Sequence, residues 1–205
     1  MEKKLLTIFG ASGLVGSSIL REALDRGYHV NGTLRDIEKQ DRITRLKSLP
    51  SGNNAKFFQA DMAEISSLDN PLINSDAAII CCLIPTYKGF DGTPAKELDD
   101  ERGYNEIIKP TVDGCLNILK SAKINNVKNI LICSSTSSTN PIPQVLVKNE
   151  LDHWSDEKEQ CNSKKYTSAA KTYMERAAFK FCNENNLRLS VFLPTGLYGP
   201  GILPE

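Results

Sequence analysis

A short run with strand character, Leu5-Leu6-Thr7-Ile8-Phe9, ends on Gly10-Ala11-Ser12-Gly13-Leu14-Val15-Gly16, and an amphipathic pattern begins at once. Three glycines at three-residue spacing, between an apolar strand and a helix, admit few folds. Gly10 permits the tight turn. Gly13 lacks a Cβ, so the backbone there can approach an anion. Gly16 lets the helix pack closely on the strand. The helix start then offers unpaired N–H groups and the positive end of its dipole. The expected occupant is the pyrophosphate of a dinucleotide, held around Gly10, Ser12, Gly13, Leu14, Val15 and Gly16. A purely structural turn is the alternative that this pattern leaves open.

The rest of the chain repeats the alternation. Apolar runs at residues 4–9, 28–34, 55–60, 77–83, 127–133 and 187–193 read as strands. The run at 77–83 is continuous, as in a strand covered on both faces. Helical patterns lie at 14–26, from a cap at Asp36 to about Leu49, in a short piece at 64–68, within 105–123, and at 168–184. Residues 134–163 are polar and read as irregular. Strands alternating with helices pair in parallel through right-handed crossovers. The fold class is therefore α/β, a doubly wound parallel sheet (Rossmann fold), with ligands at the carboxyl ends of the strands. Residues 1–205 read as one dinucleotide-binding domain whose loop 134–165 and tail 194–205 flank the cleft.

The end of the second strand selects the cofactor. An acidic residue there grips the ribose hydroxyls of NAD, and an arginine pairs with the 2′-phosphate of NADP. Leu34-Arg35-Asp36 follows the strand, and Arg42 is a second basic candidate. The reading is NADP(H), with NAD(H) as the alternative. Solvated surface arginines would carry no such role.

Lys plus Arg and Asp plus Glu each number 25, so the formal net charge is zero. A neutral chain gives no electrostatic reason to expect nucleic acid as partner. No stretch approaches the ~20 apolar residues that span a bilayer. The apolar run after the charged amino terminus is too short for a signal peptide, so no membrane partner and a cytoplasmic location are expected. Six cysteines are present without a C-x-x-C pair, and they read as reduced, mostly buried thiols rather than metal ligands. His29 and His153 are isolated, and the acidic stretches at 99–101 and 156–159 read as solvated surface.

Several segments together resemble extended short-chain dehydrogenases/reductases. The closest likeness is to the dihydroflavonol-reductase and cinnamoyl-CoA-reductase-like group of the NAD-dependent epimerase/dehydratase superfamily. They are the glycine loop, Gly32-Thr33-Leu34-Arg35-Asp36, Ala60-Asp61-Met62, Asn105-Glu106-Ile107-Ile108-Lys109-Pro110-Thr111-Val112-Asp113-Gly114, His153-Trp154-Ser155-Asp156 and Pro194-Thr195-Gly196-Leu197-Tyr198-Gly199-Pro200. The resemblance implies that Asp61 and Met62 contact adenine, that Leu83 lines the cofactor through its backbone, and that Pro194 reaches the nicotinamide. It also implies a Ser–Tyr–Lys catalytic set acting on a small carbonyl or alcohol. By this likeness Ser135 bonds the carbonyl oxygen, with Ser134 and Ser137 as neighbours that share its chemistry. Lys171 lowers the tyrosine pKa and holds the ribose. Members of the group continue well beyond this point, so the substrate domain is expected to be largely absent.

One departure from the group's Y-x-x-x-K pattern bears on activity. Thr167 stands four residues before Lys171, and the tyrosine, Tyr166, stands five before it. On a regular helix positions four apart lie about 40° apart around the axis and positions five apart about 140°. Tyr166 reaches the cleft only from outside the helix or across a π-bulge. Otherwise Thr167 takes its place, or the chain binds cofactor without turnover, as a regulatory module. A sugar-nucleotide epimerase or dehydratase shares the same catalytic set. The apolar stripes of the helices at 105–123 and 168–184 either cover the sheet or pair across an oligomer interface.

Overall fold

The computed structural model describes residues 4–149 and 152–203. Most of the charged amino terminus, part of the expected loop 134–165 and the end of the expected tail 194–205 lie outside the described residues. Six strands form one sheet: β1 (Leu5–Phe9), β2 (His29–Leu34), β3 (Ala55–Gln59), β4 (Ala77–Ile80), β5 (Asn129–Cys133) and β6 (Arg188–Phe192). Every pairing is parallel and the order is β3-β2-β1-β4-β5-β6. The order reverses between β1 and β4, which opens a crevice at their carboxyl ends.

Alternation along the strands divides the core. Ile8, Val30 and Ile79 point to one face, where α1 (Leu14–Asp25) covers them with Leu20, Ala23 and Leu24. Phe9, Ala78, Ile80 and Ile132 point to the other. That face is covered by α3 (Asp69–Leu72), α5 (Lys109–Ile124) and α7 (Tyr166–Glu184) through Leu72, Ile118, Leu119, Met174 and Ala178. Each of the larger side chains among these, fully buried, contributes about 1.5–3 kcal/mol of transfer free energy, and each alanine less. The apolar stripes of α5 and α7 are thus spent on the sheet and on each other. No helix among the described residues is long and apolar enough to cross a membrane.

Several elements differ from the sequence expectation for local reasons. Asp36 does not cap a helix: its Oδ1 accepts from the amide of Glu38 at 3.0 Å, closing a tight turn. The helix α2 accordingly starts later, at Gln40–Lys47. Before α5 lie α4 (Asp100–Gly103) and a π-turn at Tyr104–Ile108, where the amide of Lys109 bonds the carbonyl of Tyr104. Pro110 explains the widening, since it has no N–H for the carbonyl of Glu106. The polar stretch after β5 holds a short 3-10 turn, Thr136–Ser138, and the helix α6 (Glu157–Asn162). Asp156 caps α6 by accepting from the amides of Lys158 and Glu159. The helix α7 begins at Tyr166, two residues earlier than the apolar pattern suggests, and runs without a bulge through Lys171.

Two contacts set the walls of the crevice. At α1, a Cβ built on Gly16 would stand 2.1 Å from the carbonyl oxygen of Gly10, so only glycine allows the helix to start this close to β1. At α7, Glu175 is 2% exposed and accepts from the hydroxyl of Ser134, with Ser138 beside it. This carboxyl fastens the segment after β5 to the helix that carries Lys171. Burial raises its pKa, against the opposing pull of the two serines and of Lys171.

Two outcomes are expected. Gly16→Ala forces backbone apart and lowers stability by about 1–3 kcal/mol in urea unfolding; an unchanged midpoint contradicts the contact. For Glu175, the folded carboxyl keeps its proton at pH values where the unfolded chain has lost it. Wild-type stability therefore falls as pH rises from the usual carboxylate value of about 4.3. Glu175→Gln removes that term, so urea unfolding at pH 4.5 and pH 7 should show the variant gaining on the wild type as pH rises. A gap that stays constant, or closes, contradicts the assignment.

Candidate active site at the carboxyl ends of the strands

The glycine loop is tied to β2 before it enters α1. The amide of Gly10 donates to Thr33 Oγ1 at 3.2 Å, and that of Ala11 to the Thr33 carbonyl at 3.0 Å. Gly10 has φ +85°, a left-handed backbone that side chains disfavour. No side chain caps α1 and no acidic residue lies in its first turn. Its first N–H groups, which have no intrahelical acceptor, face open space beside Ser12 and Gly13.

That space is a cavity of about 580 Å³ running from Gly10, Ser12 and Gly13 past Arg35 and Arg42 to Asp61 and Met62. Arg42 also faces Ser12, Gly13 and Leu14 across a neighbouring hollow. Neither arginine pairs with a carboxylate among the described residues. Two uncommitted guanidinium groups beside an uncapped helix start fit a phosphorylated dinucleotide on charge and on space. Asp61 Oδ1 is engaged by the amide of Ala63 at 2.9 Å. Met62 is seated by Gly114, where a Cβ would lie 2.6 Å from its sulfur, and by Asn117, whose side chain donates to the Met62 carbonyl at 3.0 Å.

The cavity continues past Cys81, Ile84, Pro85 and Tyr87 into a smaller one of about 260 Å³ that contains Val15, Ser135, Thr167, Ser168 and Lys171. Lys171 is 8% exposed, and its ammonium donates to the carbonyl of Leu83 and, at 3.5 Å, to that of Cys133. Burial lowers its pKa. Leu83, expected to line the cofactor through its backbone, is buried and lines neither cavity; its carbonyl is taken by Lys171. Ser135 Oγ accepts from the amide of Ser137 at 3.2 Å. Pro194 accepts from the amide of Thr136 at 3.2 Å and so braces the segment carrying Ser135, without lining either cavity. Burial pushes the thiols of Cys81 and Cys82 up to about 12, which makes them poor nucleophiles here.

Tyr166 is the one expected catalytic side chain that the structure takes out of the cleft. It is 1% exposed, its ring lies against Gly103, and its hydroxyl donates to Asp100 Oδ1 at 2.8 Å. Burial first, and the carboxylate second, raise its pKa. The cause is the helical register: α7 is regular from Tyr166 onward, so the residue four before Lys171, Thr167, shares the face of the lysine and the residue five before turns away. Tyr87 and Glu175 have no role in the sequence expectations, and Thr33 enters there only within the segment 32–36. A position four beyond Lys171 on a helix already places Glu175 on the face of that lysine.

Residues 6–205 match the NAD dependent epimerase/dehydratase family. A bifunctional dihydroflavonol 4-reductase/flavanone 4-reductase of Malus domestica is 30% identical over 210 residues, covering 100% of this chain and 57% of that protein. An anthocyanidin reductase of Vitis vinifera is 28% identical, covering 99% of this chain and 59% of its own length. The chain thus spans somewhat over half the length of these relatives. Among solved structures, vestitone reductase from alfalfa superposes with a TM-score of 0.67 at 22% identity, covering 93% of this chain and 56% of that one. A yeast methylglyoxal/isovaleraldehyde reductase complexed with NADPH superposes with a TM-score of 0.77 at 19% identity, covering 97% and 60%. At these identities the structures establish the shared fold. The family match extends over nearly the whole chain, and the chain belongs to the NAD dependent epimerase/dehydratase family.

Proposed function

We propose that this chain binds NADP(H) in the crevice and takes part in the reduction of a carbonyl, or oxidation of an alcohol, on a small organic molecule. One observation carries the reading: an uncapped helix start, two unpaired arginines and a buried lysine open onto one continuous cleft. When bound, the nicotinamide supplies or accepts a hydride. The chain's own residues do the rest. The loop 10–16 receives the pyrophosphate, and Arg35 and Arg42 receive the 2′-phosphate. Asp61 and Met62 border the adenine end. Lys171 is held ready at the cleft floor by two carbonyls that a ribose hydroxyl would replace. Ser135 is offered as the hydrogen-bond donor to the carbonyl oxygen. Six unpaired cysteines suit a reducing, cytosolic setting.

A second reading is favoured by the position of Tyr166. With that phenol committed to Asp100, the cleft is compatible with cofactor binding without turnover, as in a regulatory module.

Nicotinamide fluorescence during titration with NADPH and NADH tests the cofactor assignment. NADPH should bind at least about tenfold more tightly, a difference of about 1.4 kcal/mol. Arg35→Ala should remove most of that preference while leaving NADH affinity unchanged. Equal affinities in the wild type, or a preference that survives the substitution, would contradict the role of Arg35.

A further inference from the structure

The family's reaction needs an acid at the carbonyl, and the helix position that would supply it holds Thr167. An aliphatic alcohol is a far weaker acid than a phenol, whose ordinary pKa is ~10. The nearest tyrosine along the helix, Tyr166, is buried and bonded to Asp100. Another phenol nevertheless borders the cleft. Tyr87, on the segment that leaves β4, lines both the large cavity with Gly10 and Arg35 and the smaller one with Ser135, Thr167 and Lys171. Its side chain is 72% exposed, and its hydroxyl makes no hydrogen bond with another described residue.

The segment that presents Tyr87 is braced. The amide of Ala95 donates to the Tyr87 carbonyl at 2.9 Å, and that of Gly89 to Thr93 at 2.8 Å, closing a small hairpin. Arg102 bonds Asp91 at 2.8 Å and Glu106 at 2.7 Å. Glu106 in turn accepts from the amide of Phe90 at 2.6 Å. Asp91 is held well below the carboxylate range by the backbone of Thr93 and by Arg102, so this tie persists at acidic pH. The hairpin is thereby fastened to the start of the helix that leads into α5. Tyr87 is the first residue of this tied hairpin, at the edge of the cleft.

We propose that Tyr87 is the proton donor of this chain, acting from the segment after β4 rather than from α7, which carries the family motif. The proposal rests on the carbonyl-reduction reading above. As a hydride from the reduced nicotinamide dinucleotide forms a C–H bond at the carbonyl carbon, the C=O π bond breaks toward oxygen. That oxygen takes the phenol proton of Tyr87. The phenolate regains a proton from water, to which Tyr87 is open. The balance is carbonyl, reduced dinucleotide and one proton giving alcohol and oxidised dinucleotide. The same placement explains how the chain tolerates a threonine four residues before Lys171.

The test uses the full chain with aldehydes and ketones as substrates and NADPH as cofactor. Tyr87→Phe should lower the rate of NADPH oxidation by on the order of 100-fold or more, with NADPH affinity by fluorescence within about twofold of wild type. Adding Thr167→Tyr to that variant should restore part of the rate, because it returns a phenol to the face of Lys171. Independently of turnover, bound NADPH should slow nitration of Tyr87 by tetranitromethane, read by peptide mass spectrometry. A Tyr87→Phe rate close to wild type, a loss of rate matched by an equal loss of NADPH affinity, or no protection of Tyr87 would each overturn the proposal. A wild type that binds NADPH but reduces no carbonyl overturns the role of Tyr87 and leaves the cofactor reading standing. A wild type that does not bind NADPH overturns both.

Discussion

The start of α1 lies against the end of β1 with no side chain between them, and the carbonyl of Gly10 occupies the place where a Cβ of residue 16 would be. This approach does two things at once. It packs the helix onto the sheet, burying Leu20, Ala23 and Leu24 against Ile8 and Val30. It also brings the helix amides to the mouth of the crevice, where the strand order reverses. The loop cannot serve one purpose without the other, because the same backbone turn aims the helix axis and exposes its first N–H groups. The ties from Gly10 and Ala11 to Thr33 then carry the geometry over to β2, whose end bears Arg35.

The opposite wall adds buried polar contacts to the apolar packing of α7. Glu175 holds the segment after β5, and the carbonyls of Leu83 and Cys133 hold Lys171. These groups are removed from water, and each is satisfied by a named partner; among the described residues no buried side-chain polar atom lacks one. Such networks favour one arrangement, since a half-satisfied buried charge is costly. Ser135, Thr167 and Lys171 thus line one cavity between the segment after β5 and α7, which the Glu175 contact fastens together.

Much of this was legible in the chain. Parallel pairing followed from apolar runs separated by helical periods, and the six strands keep within two residues of their expected limits at every end but one, β4 ending three residues short. Gly10 and Gly16 marked the turn that sets α1 against β1, the first through its left-handed backbone and the second through its close approach to the carbonyl of residue 10. Lys171 could be found from its motif. What remained hidden depends on contacts between distant segments. Helical spacing turns Tyr166 away from Lys171, but what receives it, Gly103 and Asp100, lies more than sixty residues away. The late start of α2 follows from a side-chain turn at Asp36 that competes with a cap. The helix α6 is short and polar, without the apolar stripe that periodicity needs. Tyr87 lies in a connecting segment, and only the folded structure shows that it lines the cleft.

The claim at the centre of this account is that a dinucleotide rests on the amino end of α1, with its extra phosphate toward Arg35 and Arg42. A crystal structure of the protein grown with NADPH tests it most directly. The account predicts pyrophosphate oxygens within hydrogen-bond reach of the backbone amides of residues 12–16, and the 2′-phosphate beside the two guanidinium groups. Cofactor bound elsewhere, or a pyrophosphate held away from that helix start, would contradict it.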